Sequence, residues 1–110
     1  MPKFLVKAQY TAPDGIRGLL EDGGTERVAA VRALIESVGG TMEAFFFALG
    51  EYDAYVIADV PTVEAGTALS LTVAASGLAS TETVTLITPE QVDAAVKISP
   101  VYDAPGKFDN

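Results

Sequence analysis

Tyr52 and Asp53 stand side by side just after Gly50 and Glu51, and they are the residues here best placed for chemistry. A phenol and a carboxylate at one bend can serve structure: Asp53 accepts backbone N–H groups near the turn while Tyr52 packs under a helix. Alternatively, the pair offers a polar handle inside an interface pocket. Lys7 and Glu82 extend the set. Lys7 lies within an alternating stretch, and Glu82 alternates with Val84 and Leu86, which aims its carboxylate at an apolar side. A carboxylate so placed has a raised pKa and can act as a base. Paired with Arg17 or Arg27 it forms a salt bridge instead. Lys7, Gln9, Tyr55 and Asp59 fall two apart along their strands and are expected to share one face. There, Lys7 opposite an acidic residue either makes an ion pair or meets a ligand.

Composition narrows the chemistry further. The 110 residues include no Cys and no His, which removes thiolate nucleophiles, imidazole bases, zinc–thiolate sites and two-His iron sites. Carboxylates, Lys, Tyr and hydroxyls remain. No metal and no cofactor are expected. Seven basic residues against fifteen acidic ones give a net charge of −8, the wrong sign for nucleic acid, which needs clustered Lys and Arg. No apolar run reaches the ~20 residues of a membrane span. The start, Met1 to Phe4, enters a strand pattern with no signal-peptide core, so a soluble cytoplasmic protein is the expectation.

The elements that must position these groups follow from hydrophobic period and punctuation. Residues 4–10 alternate, with Phe4, Val6, Ala8 and Tyr10 on one side, and read as a strand. Thr11 is positioned to cap a short helix over residues 15–21, with Pro13 in its first turn and Asp14 favouring its positive end. Gly15 near that start is a weak suggestion of an anion site. Gly23 and Gly24 interrupt the helix, Thr25 recaps it, and Val28, Val31, Leu34, Ile35 and Val38 form the stripe of a second piece. Gly39 and Gly40 stop it.

Residues 41–49 and 52–60 read as two strands around a two-residue type II′ turn at Gly50 and Glu51. Thr62 caps a helix from residue 63 to about 76, stopped by Gly77. Residues 80–87 form a fourth strand. Thr88, Pro89 and Gln91 then carry the signature of a capping box for a short helix to about residue 97. One domain over residues 1–98 is followed by an irregular tail, 99–110, suited to draping over a partner.

The order β-α-β-β-α-β is the ferredoxin-like, split βαβ arrangement of an α+β protein. Its antiparallel sheet has the first and third strands in the centre and the main helices on one face. The strand at residues 41–49 is apolar on both sides: Met42, Ala44, Phe46 and Ala48 on one, Phe45, Phe47 and Leu49 on the other. Tyr55 and Ile57 oppose Ala54, Val56 and Ala58. A sheet apolar on both faces needs two covers, helices on one and a second subunit on the other. The run Phe45 to Phe47 is accordingly core or dimer interface rather than a cofactor box.

Gly50, Glu51, Tyr52 and Asp53, between one strand and the next, resemble the motif that names the GYD-domain family. Gly15, Ile16 and Arg17, then Arg27, Gly39 and Gly40, and the stretch Ser80 to Thr83 extend the resemblance from Pro2 to about Lys97. It implies the dimeric α+β barrel fold and no established activity. By analogy of fold, ligand-binding domains of leucine-responsive regulators suggest small effectors at subunit interfaces. Cofactor-free monooxygenases and small isomerases suggest a cavity between sheet and helices.

The leading expectation is a homodimeric or higher-order module that binds a small molecule or a partner without catalysis. The alternative is a cofactor-independent enzyme on a small hydrophobic substrate, with Tyr52, Tyr55, Lys7 or Glu82 assisting proton transfer. A purely structural assembly protein is the third.

Overall fold

The computed structural model describes residues 1–106. Its elements run β1 (Lys3–Tyr10), α1 (Asp14–Asp22), α2 (Gly24–Glu36), β2 (Thr41–Phe47), β3 (Ala54–Asp59), α3 (Val63–Ser76), β4 (Ala79–Leu86) and α4 (Pro89–Ala95). The sheet order is β2-β3-β1-β4, and all three pairings are antiparallel. This is the ferredoxin-like α+β arrangement, with β1 and β3 central.

Cross-strand register sorts the sheet into two faces. Phe4 lies opposite Ala58, Val6 opposite Val56 and Ala8 opposite Ala54. Met42, Phe45 and Phe47 continue these rows on β2. This is the helix-facing side, and every buried strand residue is on it: Phe4, Met42, Ala54, Val56 and Ala58. Ile35 of α2 completes the central cluster, with Val28, Val31 and Leu69 packed against it. Burying each such Val, Ile or Phe side chain contributes about 1.5–3 kcal/mol.

The opposite face has no helix over it. Its rows are Leu86, Lys3, Asp59 and Thr41; then Val84, Leu5, Ile57 and Ala44; then Glu82, Lys7, Tyr55 and Phe46. The middle row is apolar throughout. None of these twelve residues is buried, and Phe46 is 71% exposed.

Local chemistry explains the element ends. Thr62 accepts from the Ala65 N–H at the start of α3, and Gly77 ends that helix in the left-handed region at φ 72°. Thr88 and Gln91 close a reciprocal capping box on α4. Gly23, at φ 79°, separates α1 from α2.

Four expectations are corrected. The two-residue type II′ turn is absent. Gly50 is not among the positive-φ glycines, and the strands end at Phe47 and resume at Ala54. The loop is closed instead by the Ala48 N–H donating to the Asp53 carbonyl at 2.8 Å. Second, β2 carries a bulge between Met42 and Ala44. The extra residue reverses the alternation, so Met42 joins Phe45 and Phe47 under the helices while Ala44 and Phe46 turn outward. Third, Thr11 does not cap α1. Its hydroxyl donates to the Gly77 carbonyl at 2.8 Å, tying the β1–α1 link to the α3–β4 link. Fourth, Thr25 does not recap α2, whose N-cap position is Gly23 with no side-chain hydrogen bond.

Beyond β4 the chain leaves the body. Every residue from 87 to 106 is exposed, including Val96 at 73% and Val101 at 102%. The radius of gyration, 18.1 Å, is well above the ~13 Å of a compact domain near this length. Residues 99–106 form no helix or strand, and the rest of the expected tail, 107–110, lies outside the described residues. Among the described residues no helix is long and apolar enough to cross a membrane.

Candidate functional site

Four of the five residues singled out from sequence meet on the open face. The register places Lys7 between Tyr55 of β3 and Glu82 of β4. The Lys7 ammonium lies 3.4 Å from the Glu82 carboxylate and 4.8 Å from the centre of the Tyr52 ring. The Tyr52 hydroxyl donates to Glu82, and its ring meets Tyr55 edge-on at 6.3 Å. Tyr52 reaches this face because the 48–53 loop is longer than a two-residue turn. It does not pack under a helix as expected.

Hydrogen bonding fixes the charge states in this cluster. The bond from Tyr52, and then the Lys7 ammonium, holds the Glu82 carboxyl below its usual range. The same bond to Glu82 is the main reason the Tyr52 phenol is pushed up to about 12. Glu82 is thus a stabilised carboxylate in a salt bridge, as the second of its two readings had it, and not a base of raised pKa. Its partners are Lys7 and Tyr52, not Arg17 or Arg27. Arg27 pairs instead with Asp22, at 3.5 Å.

Asp53 stands apart from the four. Its carboxylate accepts the Tyr10 backbone N–H at 2.8 Å, and its own N–H donates to the Ala8 carbonyl at 2.8 Å. It therefore pins the loop to the end of β1. It does accept a backbone N–H, as the structural reading held, though from the neighbouring strand rather than from within the turn. At the far end of the open face, Lys3 bonds Asp59 at 3.0 Å and also Glu43, and both bonds raise the Lys3 pKa. Asp59 was expected on this face; the roles of Lys3 and Glu43 were not.

Across 4–96 the chain matches the family model described as GYD domain. The chain belongs to the GYD domain family. The matched span of this GYD domain covers all four strands except Lys3 at the start of β1, and the whole of α4. No curated protein and no solved structure matches the chain.

This GYD domain also has a cavity on the side of the sheet away from the polar cluster. A space of about 130 Å³ lies between the sheet and α2, walled by Val6, Ala8, Phe45, Ala54 and Val56 below and Ala30, Val31 and Leu34 above. Small side chains on both walls leave the gap: Ala30, Ala54 and Ala79 are too short to fill it. Tyr10 and Arg27 line this cavity and also a neighbouring one of about 110 Å³ that reaches Gly15, Gly18 and Asp22 of α1. None of Lys7, Tyr52, Tyr55 or Glu82 borders the larger space.

Sequence reasoning missed Tyr10 and Arg27 as cavity residues. One signal was present. Tyr10 ends the helix-facing series Phe4, Val6, Ala8, and is the member of that series with a polar tip. Gly15 also finds another explanation than an anion site: a Cβ there would lie 2.0 Å from the Leu78 carbonyl oxygen. The glycine lets α1 approach the α3–β4 link.

Proposed function

We propose that this GYD domain is a self-associating module that holds a small apolar molecule between its sheet and helices without performing chemistry on it. The observation that carries this reading is the division of labour between the two faces of the sheet. One face is covered by helices that leave, over Val6, Ala8, Ala54 and Val56, an apolar cavity of about 130 Å³. The other is an uncovered apolar row, Val84, Leu5, Ile57 and Ala44, with ion pairs on either side of it.

The occupant of the open face is a second copy of this chain. The apolar row is flanked by Lys3 with Asp59 and Glu43 on one side and by Lys7 with Glu82 on the other. Both flanks carry both signs, so a copy turned by a two-fold axis meets complementary charge on each side. The patch holds two cations and three carboxylates in a chain of net charge −8, which limits repulsion between copies there. The apolar arm beyond β4, with Val96, Ile98, Val101 and Tyr102 exposed, supplies a second surface for the same partner.

The geometry does not favour the enzymatic alternative. Groups named for proton transfer lie across the sheet from the cavity, and Glu82 is held as a stable anion rather than poised as a base. Native mass spectrometry of the full chain, purified from its host, tests the reading. A dimer or a higher oligomer of dimers with a retained small molecule is the expected result. A bare monomer at micromolar concentration would overturn it.

A further inference from the structure

The larger cavity carries charge at one place only, at Arg27. Tyr10 and Arg27 sit where it adjoins the second cavity, and the rest of its wall is hydrocarbon apart from Thr81. Arg27 is the sole cation on either wall. Its side chain is 33% exposed, and its described ion pair, to Asp22, is long at 3.5 Å and engages one Nη. The other N–H donors of Arg27 have no partner among the described residues, and the Tyr10 hydroxyl has none either.

These features specify a ligand class. A neutral apolar guest would leave the Arg27 donors unsatisfied as it displaced water from around them, and a cation would find no carboxylate on the wall of the larger cavity. A planar carboxylate matches the guanidinium fork and accepts the phenol hydrogen as well. The cavity volume is close to that of an engineered apolar cavity of about 150 Å³ that takes benzene, so the apolar body has about six carbons. Phosphorylated metabolites do not fit, because a hydrocarbon wall gives no partners to the remaining phosphate oxygens or to a sugar.

We propose that the cavity binds a small carboxylic acid with a compact apolar body, its carboxylate held by Arg27 and Tyr10. This rests on the reading above that the cavity is a ligand site, and it adds the acid group and the residues that recognise it.

Calorimetric titration of the full chain with benzoate, benzyl alcohol and acetate tests it. Benzoate is expected to bind at least tenfold more tightly than either of the others. Arg27→Gln should weaken benzoate about tenfold while leaving benzyl alcohol unchanged, and Tyr10→Phe should weaken benzoate several-fold. Arg27→Lys, which keeps the charge but not the fork, should fall between wild type and Arg27→Gln. Circular dichroism confirms that each variant is folded. Equal binding of benzoate and benzyl alcohol, or equal losses for both in Arg27→Gln, would overturn the acid inference and leave the cavity as a ligand site. Acetate binding as tightly as benzoate would also overturn it, as a mere surface anion contact. Failure of both aromatic probes to bind would overturn the cavity reading itself.

Discussion

The Tyr52 hydroxyl donates to the Glu82 carboxylate, joining the β2–β3 loop to β4 over the top of β1. Both partners titrate abnormally because of this bond, and each sets one edge of a pH window. Tyr52 has its pKa raised to about 12 in the folded chain, so its contribution to stability is whole below the ordinary value of 10 and is lost as pH rises towards 12. Glu82 is lowered, so its contribution is whole above its ordinary 4.5 and is lost as pH falls through the folded value. Tyrosinate absorbance checks the upper edge. One of the four tyrosines should titrate late, and Glu82→Ala should return that phenol towards 10.

Asp53 is predicted to matter for stability rather than for binding. Asp53→Ala leaves the Tyr10 N–H without its 2.8 Å partner at a half-buried strand end. A loss of about 1–3 kcal/mol is expected in urea denaturation. Asp53→Asn keeps an acceptor oxygen and should lose less.

Two glycines of α1 make a matched pair. Gly15→Ala drives a methyl group to within 2.0 Å of the Leu78 carbonyl oxygen, and the rigid backbone there cannot yield cheaply. It should destabilise by about 1–3 kcal/mol. At Gly18 nothing lies within 4 Å of an added Cβ. Gly18→Ala should therefore stabilise, by about 0.5–1 kcal/mol, since alanine is the better helix former. Thermal melts of the two variants should move in opposite directions.

Much of the fold was legible because short-range chemistry decides it. Thr62 and Gly77 mark the limits of α3, and Thr88, Pro89 and Gln91 announce α4. Strict alternation in β1 and β3 put Lys7, Tyr55 and Asp59 on one face, where they are found. β2 was misread because a single extra residue between Met42 and Ala44 inverts every side chain after it, and nothing in Thr41 to Phe47 advertises a bulge. Tyr52 was misplaced for a related reason: the loop runs from Ala48 to Asp53, so the phenol swings to the open side. The cavity was invisible because it arises from what Ala30, Ala54 and Ala79 fail to fill, and that depends on how distant elements meet.

The arm beyond β4 carries a separate expectation. Ile98→Asp and Val101→Asp alter residues exposed by 69% and 102%, so the body should fold as before. If the arm grips a second copy, these variants should dissociate at concentrations at least tenfold higher than wild type. Unchanged dissociation would place the whole interface on the sheet.

Sedimentation equilibrium of the full chain beside Phe46→Asp bears most directly on the claim that the open face of the sheet is covered by a second copy. Phe46 lies on that face and is 71% exposed, so its replacement spares the core. The wild-type chain should sediment at twice its 11.4 kDa mass, or a higher multiple, at micromolar concentration, and Phe46→Asp should shift towards monomer while remaining folded. A wild-type monomer, or a Phe46→Asp oligomer as stable as wild type, would contradict it.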